Sequence, residues 1–373
     1  MRQIQAVQQI DGLMRDYQGT VPGACLAVLQ DGASILKRAY GLADMEGRVA
    51  ASTATNYRLA SMSKQFTSAA VLLLAEQGRL SIDDPVRRWL PTLPDAAEGM
   101  IVRHLLTHTS GLIDYEDVIP QERSAQLHDD DVLRLLEGEN RRHFPPGTQY
   151  RYSNSGYALL ALIVERASGE RYAEFLHKRI FQPLDMQSTV AFEAGVSTIA
   201  HRAFGYSAAP RDSAGPRDSA APRGWQRTDQ SLTSATLGDG GIYSSVDDLA
   251  KWDAALSGDG LLRPASLRLA FRAWVGTDDP QVQYGFGWRV TGDTRWHSGE
   301  TLGFRNVIVR YLERRLTILV LTNRNEPVPY GAAIAIAKEF LPAADAQAAA
   351  LEAAANRASG PDPGARPLPR RGQ

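Results

Sequence analysis

One helical segment is apolar on nearly every face. From Ser63 to Gln77 the chain reads SKQFTSAAVLLLAEQ, and Gly78 follows as a stop signal. Apolar side chains recur at helical steps of three and four residues, but they also fill the faces between those steps. Such a helix is stable only when other elements surround it. The segment therefore predicts a central helix, and a chain of 373 residues is long enough to enclose one.

Strand patterns lie at both ends of the chain, with helical patterns between them. Near the N terminus, ACLAVLQ and ASILKRAYG flank Asp31-Gly32, which supplies the positive φ values of a tight hairpin turn. Near the C terminus, YGFGWRV, TRWHSG, GFRNVIVRYL and RLTILVLTNRN predict strands, and PYGAAIAIAKEF predicts a closing helix. The simplest fold is α/β of the α+β type, with an antiparallel sheet flanked by terminal helices and an inserted helical subdomain.

Two segments lack the apolar residues that a packed core needs. One is the near-tandem repeat PRDSAGPRDSAAPRG, and the other is the tail that ends GPDPGARPLPRRGQ.

The predicted boundaries are 1–345 for a single catalytic unit, 1–60 and 280–345 for its sheet subdomain, and 61–279 for its helical subdomain. A disordered insertion is predicted over 207–224 and a disordered tail over 346–373.

Composition excludes several classes of partner. A formal net charge of −1 provides no field to attract nucleic acid. The single cysteine, Cys25, excludes an intramolecular disulfide, and its apolar surroundings predict a small core residue. The first residues lack the apolar core of a signal peptide, and no run reaches the ~18–20 apolar residues of a membrane span. The sequence as written predicts a cytoplasmic protein; a start trimmed before Met1 would allow a periplasmic or secreted one.

Two serines precede a lysine by three residues, and the expected local structure separates the two pairs. Ser34 and Lys37 lie on a predicted strand, where positions three apart point to opposite faces. Ser61 and Lys64 lie at the start of the apolar helix, where positions three apart are neighbours. A serine hydroxyl needs a base to become a nucleophile, and burial lowers the pKa of a lysine that could serve as one. Ser61 and Lys64 are therefore the candidate catalytic pair; an N-cap serine with a surface lysine is the structural alternative.

Two further motifs follow in order. Tyr152-Ser-Asn154 stands on a turn before a helix, and His297-Ser-Gly299 ends a predicted strand. The order S-x-x-K, Y-x-N and a K-T-G-like triplet resembles the penicillin-recognising serine hydrolases. Within them it is similar to the branch of class C β-lactamases, D-aminopeptidases, alkaline D-peptidases and related esterases. The likeness covers roughly residues 20–340 and implies a serine β-lactamase-like fold.

The resemblance implies a role for each matching residue. It implies no cofactor. Ser61 resembles the acylated nucleophile, with Lys64 and Tyr152 as its proton-transfer partners. Asn154 would hydrogen-bond the substrate amide and the lysine, and the amides of Ser61 and Glu300 would form the oxyanion hole. The implied catalytic residues are Ser61, Lys64 and Tyr152, and the implied substrate-binding residues are Asn154, His297, Ser298, Gly299, Glu300 and Arg305.

The HSG triplet departs from K-T-G. The family's lysine helps to bind a carboxylate, whereas histidine, with a pKa near ~6.5, is mostly neutral at pH 7 and gains charge only toward pH ~6. H-x-G resembles the D-aminopeptidase and D-peptidase side of the family, and Arg305 is the candidate replacement cation. Gly299 is expected to let the substrate backbone approach the strand. Tyr150 lacks the asparagine spacing of Tyr152, so we expect it to pack.

His104 and His108 have the i, i+4 spacing of a helical metal pair. The glutamate of an H-E-x-x-H motif is missing and no third ligand is evident, so structural hydrogen bonding is expected instead of a metal site.

The sequence predicts a serine hydrolase that acts through a Ser61 acyl-enzyme on small peptide, amide or ester substrates. A D-aminopeptidase-like or D-peptidase-like enzyme with possible esterase activity is favoured. The alternatives are a β-lactamase, or a penicillin-binding peptide sensor that turns over slowly. The oligomeric state is left open.

Overall fold

Strands from both ends of the chain form one antiparallel sheet. The computed structural model describes residues 2–209, 224–258 and 260–341. The strands are β1 (Ala24–Gln30), β2 (Ala33–Tyr40), β3 (Leu42–Asp44), β4 (Val49–Ala50), β5 (Tyr57–Arg58), β6 (Val190–Ala191), β7 (Tyr206–Ala208), β8 (Trp225–Arg227), β9 (Ile242–Ser244), β10 (Val275–Gly276), β11 (Gln283–Tyr284), β12 (Arg289–Thr291), β13 (Thr294–Thr301), β14 (Phe304–Tyr311) and β15 (Leu316–Thr322).

The main sheet has the order β10-β11-β12-β13-β14-β15-β1-β2, so β1 from the N terminus pairs with β15 from the C terminus. This confirms the predicted antiparallel sheet. The hairpin turn between β1 and β2 is also confirmed, since Asp31 and Gly32 have φ values of 54° and 78°. The edge strand β10 lies a few residues before the predicted subdomain boundary at 280.

Helices cover both faces of this sheet. They are α1 (Arg2–Leu13), α2 (Lys64–Glu76), α3 (Val86–Trp89), α4 (Val102–Leu106), α5 (Asp129–Glu137), α6 (Asn154–Ser168), α7 (Tyr172–Leu176), α8 (Leu237–Gly240), α9 (Val246–Ala255), α10 (Pro264–Phe271) and α11 (Tyr330–Lys338). The terminal helices α1 and α11 lie on one face, and the other face packs on the helical region. No helix in the described ranges is both long and apolar enough to span a membrane.

The first six residues of β1, Ala24 to Leu29, are apolar because both faces of the strand are buried. Leu26 and Val28 pack in the core under the terminal helices, whereas Cys25, Ala27 and Leu29 pack in the core on the opposite face. Cys25 is fully buried, and burial raises the pKa of its thiol to about 12. The prediction that Cys25 is a core residue is confirmed.

The apolar helix predicted over 63–77 is α2, and other elements surround it. Phe66 packs its ring against Phe181 and Trp252, with centroids 5.5 and 4.5 Å away. Gly78 follows the helix with φ 67°, as the stop signal predicts. The first nine residues of this helix, Lys64 to Leu72, are buried, so Lys64 lies inside the protein.

The predicted insertion has different ends from those expected. Tyr206–Ala208 pairs with Trp225–Arg227 in a small antiparallel ladder, so residues 207 and 208 belong to a strand. The amide of Ala208 also donates to Asn325 Oδ1 at 3.2 Å, and these backbone hydrogen bonds order a stretch with no strand pattern of its own. Residues 210–223 and the predicted tail lie outside the described residues.

Candidate active site

Ser61 and Lys64 meet at the junction of a short 3₁₀ helix, Ala60–Ser63, with α2. Lys64 Nζ lies 3.0 Å from Ser61 Oγ, the contact that the helical spacing predicts. Ala60 has φ 50°, a left-handed conformation that non-glycine residues rarely adopt and that occurs often near functional sites. The Lys64 side chain is fully buried.

Lys64 Nζ also lies close to two oxygens that can only accept a hydrogen bond. Asn154 Oδ1 lies at 2.8 Å and the carbonyl oxygen of Asp239 at 3.0 Å. A neutral amine has two N–H groups and one lone pair. In this form the amine can donate to such acceptors and can also take a proton on its lone pair. The geometry therefore suits a lysine that removes the serine proton.

The Tyr152 ring lies beside the lysine. Lys64 Nζ is 4.9 Å from the Tyr152 ring centroid and 5.4 Å from that of Tyr157. Both rings can interact favourably with an ammonium group at this position. Tyr150, expected to pack, lies with its ring centroid 6.0 Å from those of His108 and Tyr284.

Asn154 is held at the start of α6. Ser153 caps this helix by accepting the amide of Gly156, and the amide of Asn154 donates to Asp114 Oδ2 at 2.9 Å. The Asn154 side chain bridges two ionisable residues, because Oδ1 accepts from Lys64 while Nδ2 donates to Glu116 Oε1 at 3.1 Å. Ser61, Lys64, Asn154 and Glu116 therefore form one continuous chain of hydrogen bonds.

Two carboxyl groups beside this chain have raised pKa values. Burial is the main cause at Asp114, whose pKa is raised to about 6. Although Glu116 is exposed, desolvation of its carboxyl group and the charges of Asp114 and Asp239 raise its pKa to about 7. Glu116 is therefore an acidic group that changes charge near neutral pH.

His297 lies behind the site with both ring nitrogens engaged. Nδ1 is 2.6 Å from the carbonyl oxygen of Ser298, so it donates, and Nε2 therefore accepts from the Tyr284 hydroxyl at 3.0 Å. Burial and the charge of Arg289 hold the pKa of His297 well below its usual value. The expectation that His297 becomes charged near pH 6 is wrong, because the imidazolium would be desolvated in this position.

Gly299 makes a close approach, but to the protein's own backbone. A Cβ atom at this position would lie 1.9 Å from the carbonyl oxygen of Leu59 and 3.4 Å from the Ala60 side chain. The strand therefore packs directly on the segment that leads into Ser61. This contact alone requires glycine at position 299; the expected approach of a substrate stays a prediction.

Arg305 is not brought to Ser61. Glu300 pairs with Arg305 across β13 and β14, and Gly299 pairs with Asn306, whose side chain donates to the carbonyl of Arg58. Because side chains alternate along a strand, Glu300 and Arg305 point to the face opposite Gly299. The Arg305 guanidinium donates to the carbonyls of Thr301 and Phe304 in the adjacent turn. The structure therefore places it away from the role of replacement cation.

The edge of β13 is open beside the site. Strand β12 pairs only with Thr294–Trp296, so His297–Thr301 have no partner strand on that side within the described ranges. The predicted oxyanion donor, the amide of Glu300, lies in this stretch, as does Ser298. An open strand edge offers backbone groups to an extended ligand.

Several residues around the site were missed by the sequence reasoning. Asp114 and Glu116 lie two and four residues after HTSGL, and a pair of acids just beyond that motif was the available signal. Arg289 has its Cζ 5.7 Å from the Tyr152 ring centroid, and no local pattern marks it. Asp239 accepts the lysine through its backbone, which a side-chain motif does not reveal.

His104 and His108 each accept a backbone amide, which confirms the expected structural hydrogen bonding. Ile101 N lies 3.3 Å from His104 Nδ1, and Ser153 N lies 3.1 Å from His108 Nδ1. Helix α4 ends at Leu106, so the two histidines do not share the helix that a metal pair would need. The described residues contain no cluster of three or more His, Cys, Asp or Glu suited to a metal ion.

Comparison with known proteins places most of this chain in one family. The Beta-lactamase family model matches residues 5–341. The chain is 32% identical over 351 residues to Penicillin-binding protein 4* of Bacillus subtilis strain 168, covering 91% of this chain and 75% of that protein. It is 28% identical over 320 residues to a D-aminopeptidase of Gluconobacter oxydans strain 621H, covering 81% of this chain and 56% of that protein.

A solved structure matches over a similar range. The octameric penicillin-binding protein homologue from Pyrococcus abyssi superposes with a TM-score of 0.75 at 25% identity, covering 91% of this chain and 78% of that one. The family match extends over most of the sequence and includes the S-x-x-K, Y-x-N and H-x-G motifs. The chain therefore belongs to the β-lactamase family of serine hydrolases.

Proposed function

We propose that this protein hydrolyses amide or ester bonds through an acyl-enzyme on Ser61. The observation that carries the proposal is the buried Lys64, whose Nζ lies 3.0 Å from Ser61 Oγ. Lys64 takes the hydroxyl proton as Oγ bonds to the substrate carbonyl carbon. The amides of Ser61 and Glu300 would stabilise the oxyanion.

The remaining steps need only groups already in place. The tetrahedral intermediate collapses by breaking the bond to the leaving amine or alcohol, which receives a proton through Lys64 and Tyr152. Water then attacks the Ser61 ester and gives its proton to the same pair, which releases the carboxylic acid and restores the serine hydroxyl. No cofactor enters this cycle.

The preferred substrate in this proposal carries a free α-amino group. Glu116 places its carboxyl group beside Asn154, the side chain assigned to the substrate amide. A carboxylate at this position attracts an ammonium group and repels a carboxylate. The H-x-G triplet adds no cation, because burial keeps His297 neutral. We propose the D configuration for this substrate because the chain is similar to a D-aminopeptidase.

Replacing Glu116 by glutamine tests this assignment. The glutamine side chain would keep an oxygen to accept Asn154 Nδ2 but would lose the negative charge. We expect kcat/KM for a D-aminoacyl nitroanilide to fall by about tenfold, the value of one charge-assisted hydrogen bond. The N-acetylated nitroanilide should change less than twofold.

The neighbouring Asp117 provides the matched control, because it is exposed and lies with Glu116 on a short 3₁₀ helix, Tyr115–Val118. Asp117→Asn removes the same charge and should leave both substrates unaffected. If Glu116→Gln lowers hydrolysis of the free and acetylated substrates equally, Glu116 does not recognise the amine.

A pH dependence follows from the pKa of Glu116, about 7. The carboxylate forms as the pH rises through this value, whereas an α-amino group loses its charge above ~7.7–8.0. The ratio of kcat/KM for the free amine to that for its acetylated analogue should therefore rise through pH 7 and fall above pH 8. Taking the ratio removes ionisations that both substrates share. If this ratio still rises through pH 7 in Glu116→Gln, the rise comes from a group other than Glu116.

A second candidate, β-lactam hydrolysis or binding, is favoured by one observation. The Arg289 guanidinium lies near Tyr152 on a neighbouring strand and could attract a carboxylate. A panel of D- and L-aminoacyl nitroanilides, nitrophenyl esters and a chromogenic cephalosporin separates the two functions. Efficient cephalosporin turnover that is lost in Arg289→Gln would support a β-lactamase, and a single equivalent of product would support a sensor.

A further inference from the structure

His108 lies at the centre of the aromatic side chains that surround Tyr152. It is 1% exposed, and its backbone φ of 57° places it in the left-handed region. Histidine tolerates this conformation better than most residues but still with strain. The surrounding contacts must therefore hold it there.

His108 contacts the Tyr152 segment in three ways. Its carbonyl oxygen accepts the amide of Arg151 at 2.9 Å, and its Nδ1 accepts the amide of Ser153 at 3.1 Å. These two amides flank Tyr152 in the chain. The imidazole ring also lies against the Tyr152 ring, with centroids 4.2 Å apart and an angle of 35° between the planes. Both the backbone and the ring of Tyr152 are thus fixed by one residue.

The imidazole is neutral in this position. Nδ1 accepts a hydrogen bond, so the proton of the neutral ring is on Nε2. Burial, followed by the charges of Lys64, His297 and Arg289, holds the pKa of His108 well below its usual value. A flat, uncharged ring can support Tyr152 without adding a positive charge next to Lys64.

We propose that His108 is a positioning residue that holds the Tyr152 ring beside Lys64 through its two backbone hydrogen bonds and its ring contact. The inference rests on the proposed function, in which Tyr152 transfers protons with Lys64. It goes beyond that function because it assigns His108 a role that acts through Tyr152.

Two substitutions at position 108 separate the effect of the ring contact with Tyr152 from that of the hydrogen bond to Ser153. His108→Phe keeps an aromatic ring but removes the acceptor for Ser153. His108→Asn keeps an acceptor near the Nδ1 position and tolerates positive φ, but removes the ring. Each is made in the wild type and in Tyr152→Phe, with kcat and KM measured on a nitrophenyl ester. His201, which is exposed and also left-handed with φ 47°, provides the matched control substitutions.

In the wild type we expect His108→Phe to lower kcat by about tenfold with KM nearly unchanged, because a small displacement of a catalytic group is costly. His108→Asn should recover part of this loss. In Tyr152→Phe, neither substitution should lower kcat further by more than twofold, because the positioned hydroxyl is already gone. The His201 substitutions should have no effect.

Equal losses in both backgrounds would overturn the inference and indicate a general structural role. If His108→Phe does not fold, His108→Asn in the two backgrounds decides by the same comparison. If Tyr152→Phe alone leaves kcat unchanged, the proposed proton-transfer role of Tyr152 is overturned, and the role of His108 that depends on it is overturned with it. A large loss in Tyr152→Phe together with a fully additive effect of His108 overturns the positioning role alone.

Discussion

Replacing Lys64 by alanine is expected to lower kcat by ~10²–10⁴, the usual contribution of positioned acid–base catalysis. The substitution removes the group that faces Ser61 Oγ at 3.0 Å. Tyr152→Phe should give a loss in the same range. Because the two side chains are proposed to serve one proton path, the double variant should be barely worse than the worse single variant. Single-turnover rates on a nitrophenyl ester would give the acylation step directly.

The chain contains its own control for this experiment. Lys37 also lies three residues after a serine, but on β2, where its Nζ pairs with Asp247 Oδ1 at 2.6 Å. Lys37→Ala should leave kcat unchanged. Fully additive losses for Lys64 and Tyr152 would mean that the two residues act in separate steps.

A methyl group at position 299 is expected to lower kcat by ~10²-fold, because displacement of the nucleophile by about an ångström has an effect of that size. In Gly299→Ala the new Cβ would lie 1.9 Å from the carbonyl oxygen of Leu59, so one of the two backbones must move. Leu59 and Ala60 lead directly into Ser61. The movement would therefore shift Ser61 relative to Lys64.

Gly276 in β10 provides the control, since a Cβ there would meet nothing within 4 Å. Gly276→Ala should retain wild-type activity and melting temperature. For Gly299→Ala, kcat and the rate of Ser61 labelling should fall together. Unchanged kcat would show that the sheet can move away from Leu59 without disturbing the nucleophile.

The fold could be predicted because its main signals are local. Asp31-Gly32 specifies a hairpin by its backbone preferences, and an all-apolar helix requires burial whatever its partners are. The pairing of Tyr206–Ala208 with Trp225–Arg227 could not be predicted in this way. Its stability comes from hydrogen bonds to distant backbone and from Asn325, which leave no pattern in the strands themselves.

The site residues also differ in whether local geometry or the tertiary fold brings them together. Ser61 and Lys64 are neighbours through helix geometry, so their contact could be predicted from spacing. Glu116 reaches Asn154, and His108 reaches Ser153, only through the tertiary fold. The burial of His297, which keeps it neutral, also depends on residues that are distant in sequence.

The most direct test of the account is covalent labelling of Ser61. Intact-mass measurement after treatment with a serine-reactive phosphonate should show one adduct per chain, and peptide mapping should place it on Ser61. Ser63→Ala should label normally, because the Ser63 hydroxyl accepts the amide of Ile242 and has no role in the proposed mechanism. Ser61→Ala should not label and should not hydrolyse any substrate of the panel. Undiminished labelling or turnover in Ser61→Ala would contradict the account.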